Sequence, residues 1–351
     1  MARCRARVAA LGFIFICALP AGAVILADSV SVSGDSISRA FDANTSSCTY
    51  SDQVSRNWAT GDDHGSSFCS AGGDGTFSHA ERLECNKGGD VTIFNDAMSG
   101  ATMLGDFATQ ATNIKQHLSS APSPRYVLVF MGHNDACTGT VDKTGNSCGG
   151  DRDPNNYCRT TNAAFEREFR RGMNQLIQIS SARILVLATV RVSELCSFSS
   201  KSGCGLGSGL QCDAVWALGG ICSSLTADCS NQRRIDMYNT LVGYNEILER
   251  VTNEYAALSP GGCNPPKASD VQIRFENGTF YYKAASGDLS CCDCFHPSDQ
   301  GQSKLAQFGW TGLQCSATNP CCAPSNDPLV NATCSALDTT TFYPGGFWPN
   351  N

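Results

Sequence analysis

Charge is scarce in this chain. Lysine, arginine, aspartate and glutamate together make up only 16% of its 351 residues, and the balance is acidic, 25 basic against 32 acidic side chains for a net charge of −7. A protein that holds a phosphate backbone needs a basic surface, so the composition excludes nucleic acid as a partner. It also excludes a disordered polyelectrolyte, because 42% of the residues are hydrophobic and the chain can bury a sizeable core. No fixed-period repeat is present, which excludes solenoids and propellers. Paired C-x2-C spacing is missing as well, which excludes the common zinc-stabilised modules. Histidine is rare, with five residues.

Cysteine is abundant. Twenty-one cysteines are spread along the whole chain. The cytosol keeps thiols reduced, so such a number without metal-ligand spacing indicates an oxidising compartment. The N-terminus agrees. Met1 to Arg7 is basic, Val8 to Ala18 is an apolar run too short to span a bilayer comfortably, and Ala21-Gly22-Ala23 is a small-residue cleavage site. Residues 1–23 therefore read as a signal peptide and the protein as secreted. Its removal takes away Arg3, Arg5 and Arg7, bringing the net charge nearer −10, and also Cys4 and Cys17, leaving 19 cysteines, an odd number. Asn44, Asn277 and Asn331 head glycosylation sequons, which matter only in a eukaryotic host.

Short apolar strands alternate with helical stripes. Strands are expected at Ala27–Ser33, Val91–Phe94, Tyr126–Phe130, Ile184–Leu187 and Val271–Phe275, the third and fourth apolar throughout as if buried on both faces. Leu104, Phe107, Ala111, Ile114 and Leu118 share one helical face; Phe165, Phe169, Met173 and Leu176 share a second; Leu241, Tyr244, Leu248, Val251 and Tyr255 a third. This alternation predicts an α/β domain with a mainly parallel five-stranded sheet, over residues 24–314. Three Cys-rich stretches near 48–89, 136–158 and 193–231 interrupt it and read as disulfide-pinned insertions. Residues 315–351 read as a Cys-rich C-terminal extension.

In a parallel sheet the chemistry sits beyond the C-terminal strand ends. Gly34-Asp35-Ser36-Ile37 follows the first strand, Asn95 to Gly100 the second and Gly132-His133-Asn134-Asp135 the third, while Asp293-Cys294-Phe295-His296 follows the last. Each alone is an ordinary turn. Together they place a hydroxyl, a histidine with a carboxylate beside it, an amide and a glycine N–H on one sheet edge. That is a nucleophile, a base, its orienting acid and oxyanion donors.

In these four blocks and their order the chain resembles the SGNH/GDSL hydrolases. The resemblance covers Gly34 to His296 and implies a flavodoxin-like three-layer α/β/α fold. It implies a Ser36–His296–Asp293 triad, with the Ser36 and Gly100 N–H groups and the Asn134 amide as oxyanion donors, and no cofactor or metal. Asp35 reads as a loop brace, His133 as a rim contact, and His64, His79 and His117 as structural or solvent-facing. Trp58 reads as core packing. A closer resemblance, to the secreted phospholipase B-like branch, rests on Trp58 to Asp63, on Asn134-Asp135-Ala136-Cys137 and on Asp293-Cys294-Phe295-His296 with Gly301 and Trp310 following. It implies lipid or lysophospholipid acyl esters as substrates of a monomer that touches lipid surfaces transiently. Carbohydrate O-acetyl esterase and acyltransferase activities use the same residues. A catalytically dead binding module would have lost one of them, and none is lost. Finally, Cys291, Cys292 and Cys294 bracket Asp293. Adjacent cysteines are poorly placed to pair with each other, so up to three bridges are expected from this loop to distant segments.

Overall fold

A computed structural model describes residues 26–311 except Ser66, Ser70 and residues 258–269. The expected signal peptide and the C-terminal extension lie outside the described residues.

Five strands form one parallel sheet: β1 (Ser29–Gly34), β2 (Thr92–Asn95), β3 (Arg125–Phe130), β4 (Ala182–Leu187) and β5 (Gln272–Glu276), in the spatial order β2-β1-β3-β4-β5. Each expected strand is present within about two residues of its observed ends. In register, Ser31 lies opposite Phe94 on one side and Val127 on the other, and Gly34 lies opposite Phe130. This 2-1-3-4-5 order is the flavodoxin-like one, with its switch point between β1 and β3. A short antiparallel ribbon, Arg152–Asp153 against Arg159–Thr160, stands apart from the sheet.

Both faces are covered. Val127 and Val129 of β3, with Ile184 and Val186 of β4, pack on α2 (Phe107–Ser120), α3 (Asn162–Leu176) and α5 (Asn231–Ala257). The alternate residues Tyr126, Leu128, Phe130, Leu185 and Leu187 pack on α1 (His79–Lys87) and α6 (Asp299–Thr311). That alternation explains why the two central strands are apolar at every position. β1 breaks the pattern with three buried serines. Each has a partner that meets the cost of burying a hydroxyl: Ser29 donates to the Pro122 carbonyl, Ser31 to Asp96 and Ser33 to Gln110.

The stretch 48–89 is more than an insertion. It contributes Trp58, Ala80 and Leu83 to the core and carries α1, a helix that the sequence pattern does not predict. Glu81, Arg82 and Glu84 of α1 are buried, so no apolar stripe marks the helix. The signal that was there is a capping box, with Ser78 accepting from the Glu81 N–H, and Gly88 as a left-handed C-cap. The third Cys-rich stretch likewise carries a helix, α4 (Cys212–Gly219). Among the described residues no helix is long and apolar enough to cross a membrane.

Candidate active site

The C-terminal end of β1 delivers Ser36. After Gly34 the chain turns into a short 3-10 helix, Ser36–Arg39, whose cap is Asp35: its Oδ1 accepts the Ile37 N–H at 2.9 Å. As the first residue of that helix, Ser36 keeps its own N–H outside the intrahelical ladder. A residue from the neighbouring helix fixes the strand end. Gln110 of α2, itself buried, accepts the Gly34 N–H at 2.9 Å and donates to the Gly34 carbonyl at 3.0 Å.

The loop after β5 delivers Asp293 and His296. His296 Nε2 stands 2.7 Å from Ser36 Oγ, and its Nδ1 stands 2.5 Å from Asp293 Oδ2. The other carboxylate oxygen of Asp293 accepts the Phe295 and His296 N–H groups at 2.9 and 3.0 Å. An acceptor-only carboxylate at Nδ1 makes that nitrogen the donor and leaves Nε2 free to take the serine proton. Burial works against the His296 imidazolium. The charge and hydrogen bond of Asp293, with Asp35 and Asp42 beyond, outweigh it and hold the His296 pKa above its ordinary value. Burial also works against the Asp293 carboxylate, but His296 and the two backbone donors win and hold its pKa low.

The loop's shape is imposed from outside. Cys291 is bridged to Cys204, Cys292 to Cys48 and Cys294 to Cys212, so all three cysteines reach distant segments, as expected from their spacing. Three carbonyls of the same loop are held by the residues around those partners: Cys291 by the Cys204 N–H at 2.8 Å, Cys292 by the Tyr50 hydroxyl at 3.3 Å and Cys294 by the Trp216 indole at 3.1 Å.

The third block contributes two side chains. Gly132 has φ +119°, and a Cβ there would press on Thr189 and Phe165, so glycine is required for the turn. Asn134 then lines the same cavity as Ser36, with one amide hydrogen given to the Ala101 carbonyl at 3.0 Å. His133 lines that cavity too, and it is also a buried brace: Nδ1 stands 2.7 Å from Asp35 Oδ2, and Nε2 accepts the Val190 N–H at 3.2 Å. An N–H can only donate to Nε2, which fixes the neutral tautomer with the proton on Nδ1. Gly100 occupies an exposed turn with φ +82°, outside the cavity lining. The turn is tied to the site on both sides, by the Met98 N–H on the Gly34 carbonyl and by Ala101 on Asn134.

A cavity of about 80 Å³ opens at Ser36. Its wall is mostly apolar, with Val190, Val192, Leu195, Phe198, Leu289 and Phe295 among its residues. Phe41, which carried no sequence signal, lies against the His296 ring at 4.9 Å between centroids. A hydroxyl bonded to an imidazole, itself bonded to a carboxylate, beside an amide and an apolar cavity, is equipped for acyl transfer.

The family model for GDSL-like lipase/acylhydrolase matches residues 32–308, which include every one of these groups. The chain belongs to that family. It is thus an esterase or acylhydrolase type of hydrolase, acting on ester substrates. Among solved structures, the chain is similar to TesA, at 13% identity and a TM-score of 0.38, over 82% of this chain and 98% of that one. It is also similar to the psychrotrophic esterase EstA from Pseudoalteromonas sp., in a structure inhibited by monoethylphosphonate, at 11% identity and a TM-score of 0.39, over 81% and 94%. No curated protein matches the sequence.

The remaining histidines have ordinary surroundings or none that face Ser36. His79 is buried between the Tyr126 hydroxyl and the Ala306 carbonyl, and burial drives its pKa down to about 3. His117 is half-exposed against Asp96 and stacks on Phe94. Trp58 is fully buried, edge-on to Phe130 and His79, as core packing requires.

Proposed function

We propose that the protein is an exported serine esterase that cleaves acyl esters of lipid type through a covalent intermediate on Ser36. The single observation that carries this reading is the hydrogen-bond chain Ser36–His296–Asp293 at the mouth of an apolar cavity. Ser36 Oγ attacks the ester carbonyl while His296 Nε2 takes its proton. Asp293 stabilises the imidazolium that forms. The oxyanion is met by the Ser36 N–H and by the second amide hydrogen of Asn134, with the Gly100 turn held next to both as the remaining candidate donor. The imidazolium protonates the departing alcohol, and water then repeats the sequence to release the acid. An acyl group fits the apolar wall better than a sugar does, which favours lipid over carbohydrate esters. Export is supported by the seven disulfides among the described residues and by the N-terminal leader.

A fluorophosphonate probe tests the assignment. Wild type should be labelled at Ser36 and should hydrolyse p-nitrophenyl esters. Ser36→Ala should lose both properties and keep its far-UV CD spectrum. Labelling at another serine, or esterase activity that survives in the variant, defeats the reading.

A further inference from the structure

At the opposite edge of the sheet lies a group of side chains with no part in this reaction. His64, Asp62 and Glu84 bring one nitrogen and two carboxylate oxygens within 4.8 Å of one another. Glu84 belongs to the last turns of α1, and its Oε1 accepts the N–H of Val91, the residue before β2 begins. β1 and β2 run parallel, so this is the N-terminal edge, whereas Ser36 follows the C-terminal end of β1.

The protons in the group can be assigned. His64 Nδ1 lies 2.9 Å from the Gly65 carbonyl. A carbonyl only accepts, so Nδ1 carries the hydrogen. Nε2 then faces Glu84 Oε2 at 2.8 Å and Asp62 Oδ1 at 3.3 Å, both of them acceptors. Two acceptors 2.8 Å apart need a positive centre between them: without an ion that is a proton on Nε2, and a divalent ion would displace it to meet three converging lone pairs. We propose that His64, Asp62 and Glu84 form a three-ligand site for a divalent ion of the zinc class, with a structural role.

Several features of the site match what such an ion needs. Zinc takes imidazole nitrogen and carboxylate oxygen at about 2.0–2.2 Å in a tetrahedron, whose corners lie roughly 3.3 Å apart; Asp62 stands at that distance from Nε2, and Glu84, at 2.8 Å, would move outward by about 0.5 Å. The ligands are oriented from behind: the Gly65 carbonyl holds the His64 ring, and the Val91 N–H holds the Glu84 carboxylate. The His64 and Glu84 side chains are only 4% and 2% exposed, while Asp62 is 48% exposed, leaving an entry path and a fourth position for water. The loop is also fixed covalently, because Cys85, next to Glu84, is bridged to Cys69. An ion here would tie the 61–69 loop to α1. It would add to the stability of the fold and leave the hydrolytic step alone.

The test uses the full, tag-free chain, freed of metal with EDTA and titrated with ZnCl2 by calorimetry. Wild type should take up an ion with an affinity that falls at least about tenfold in Asp62→Asn and further in His64→Ala. Asp62 is exposed, so its variant keeps the fold even if the His64 variant does not. Zinc should also raise the Tm of wild type and not that of Asp62→Asn. Two outcomes overturn the proposal. One is a wild type that takes up no zinc, with His64 held instead as an imidazolium between its two carboxylates. The other is zinc uptake equal in wild type and Asp62→Asn, which would place the ion elsewhere.

Discussion

His296 shows how a few neighbours set a side chain's chemistry. Burial alone would lower its pKa and leave it a weak base. The carboxylates of Asp293, Asp35 and Asp42 reverse that sign. The base works only when neutral, so activity is present above the folded pKa and lost as pH falls through it. With the pKa raised, kcat/KM should climb with pH through an inflection above the ordinary ~6.5 of histidine and then level off. A pH series on a neutral p-nitrophenyl ester measures this directly. A rate that is flat from about pH 5 to 8 would exclude a histidine base. His133 makes the complementary point. It also touches a carboxylate, yet Val190 occupies its second nitrogen, so it has no free lone pair with which to take a proton.

At the scale of elements, the strand ends and turns decide what meets. The five strands and the four blocks were legible in the sequence, because strand periodicity and turn residues are local properties. α1 was not, since Glu81, Arg82 and Glu84 are buried on it with polar partners, Ser78, Phe77 and His64 among them, and so break the apolar stripe that periodicity reads. Gln110 was missed for the opposite reason. It stands on the apolar face of α2, and a lone polar residue there was the signal. Both its amide groups go to Gly34, two residues before Ser36. Gln110→Leu would keep the packing volume and leave the buried Gly34 N–H and Ser33 hydroxyl without their acceptor, each at a cost of about 1–3 kcal/mol, while the Gly34 carbonyl keeps the Met98 N–H. The strand end would then shift, and a displacement of about 1 Å at Ser36 can lower the rate about 10²-fold. Gln110→Leu should therefore lower Tm and also lower kcat with little change in KM. A variant that loses only stability would reduce Gln110 to a core residue.

At the scale of the whole molecule, the disulfides join the periphery to the site. That Cys291, Cys292 and Cys294 reach outward was legible, because adjacent cysteines make poor partners. Their partners were not, since connectivity depends on which segments meet in three dimensions. The bridges span 87, 244 and 82 residues and lead into the two largest Cys-rich stretches. All fourteen described cysteines are paired. The sulfurs around the site are also close to one another. Cys204 Sγ lies 3.4 Å from Cys48 Sγ and 3.8 Å from Cys292 Sγ, although it is bonded to Cys291. An external thiol that opens Cys204–Cys291 with Cys204 as the leaving thiolate puts a nucleophile in reach of the neighbouring bridge. Attack on Cys48 would form Cys48–Cys204 and release Cys292. One reduction can thus free two anchors of the loop that carries Asp293, while the sheet, which contains no cysteine, stays intact. Mild reduction should therefore lower kcat before the far-UV CD signal changes. Alkylation and peptide mapping at that stage should find Cys291 and Cys292 modified first. Full activity after their complete alkylation would show that the bridges serve stability alone and that the hydrogen bonds around Asp293 hold the loop without them.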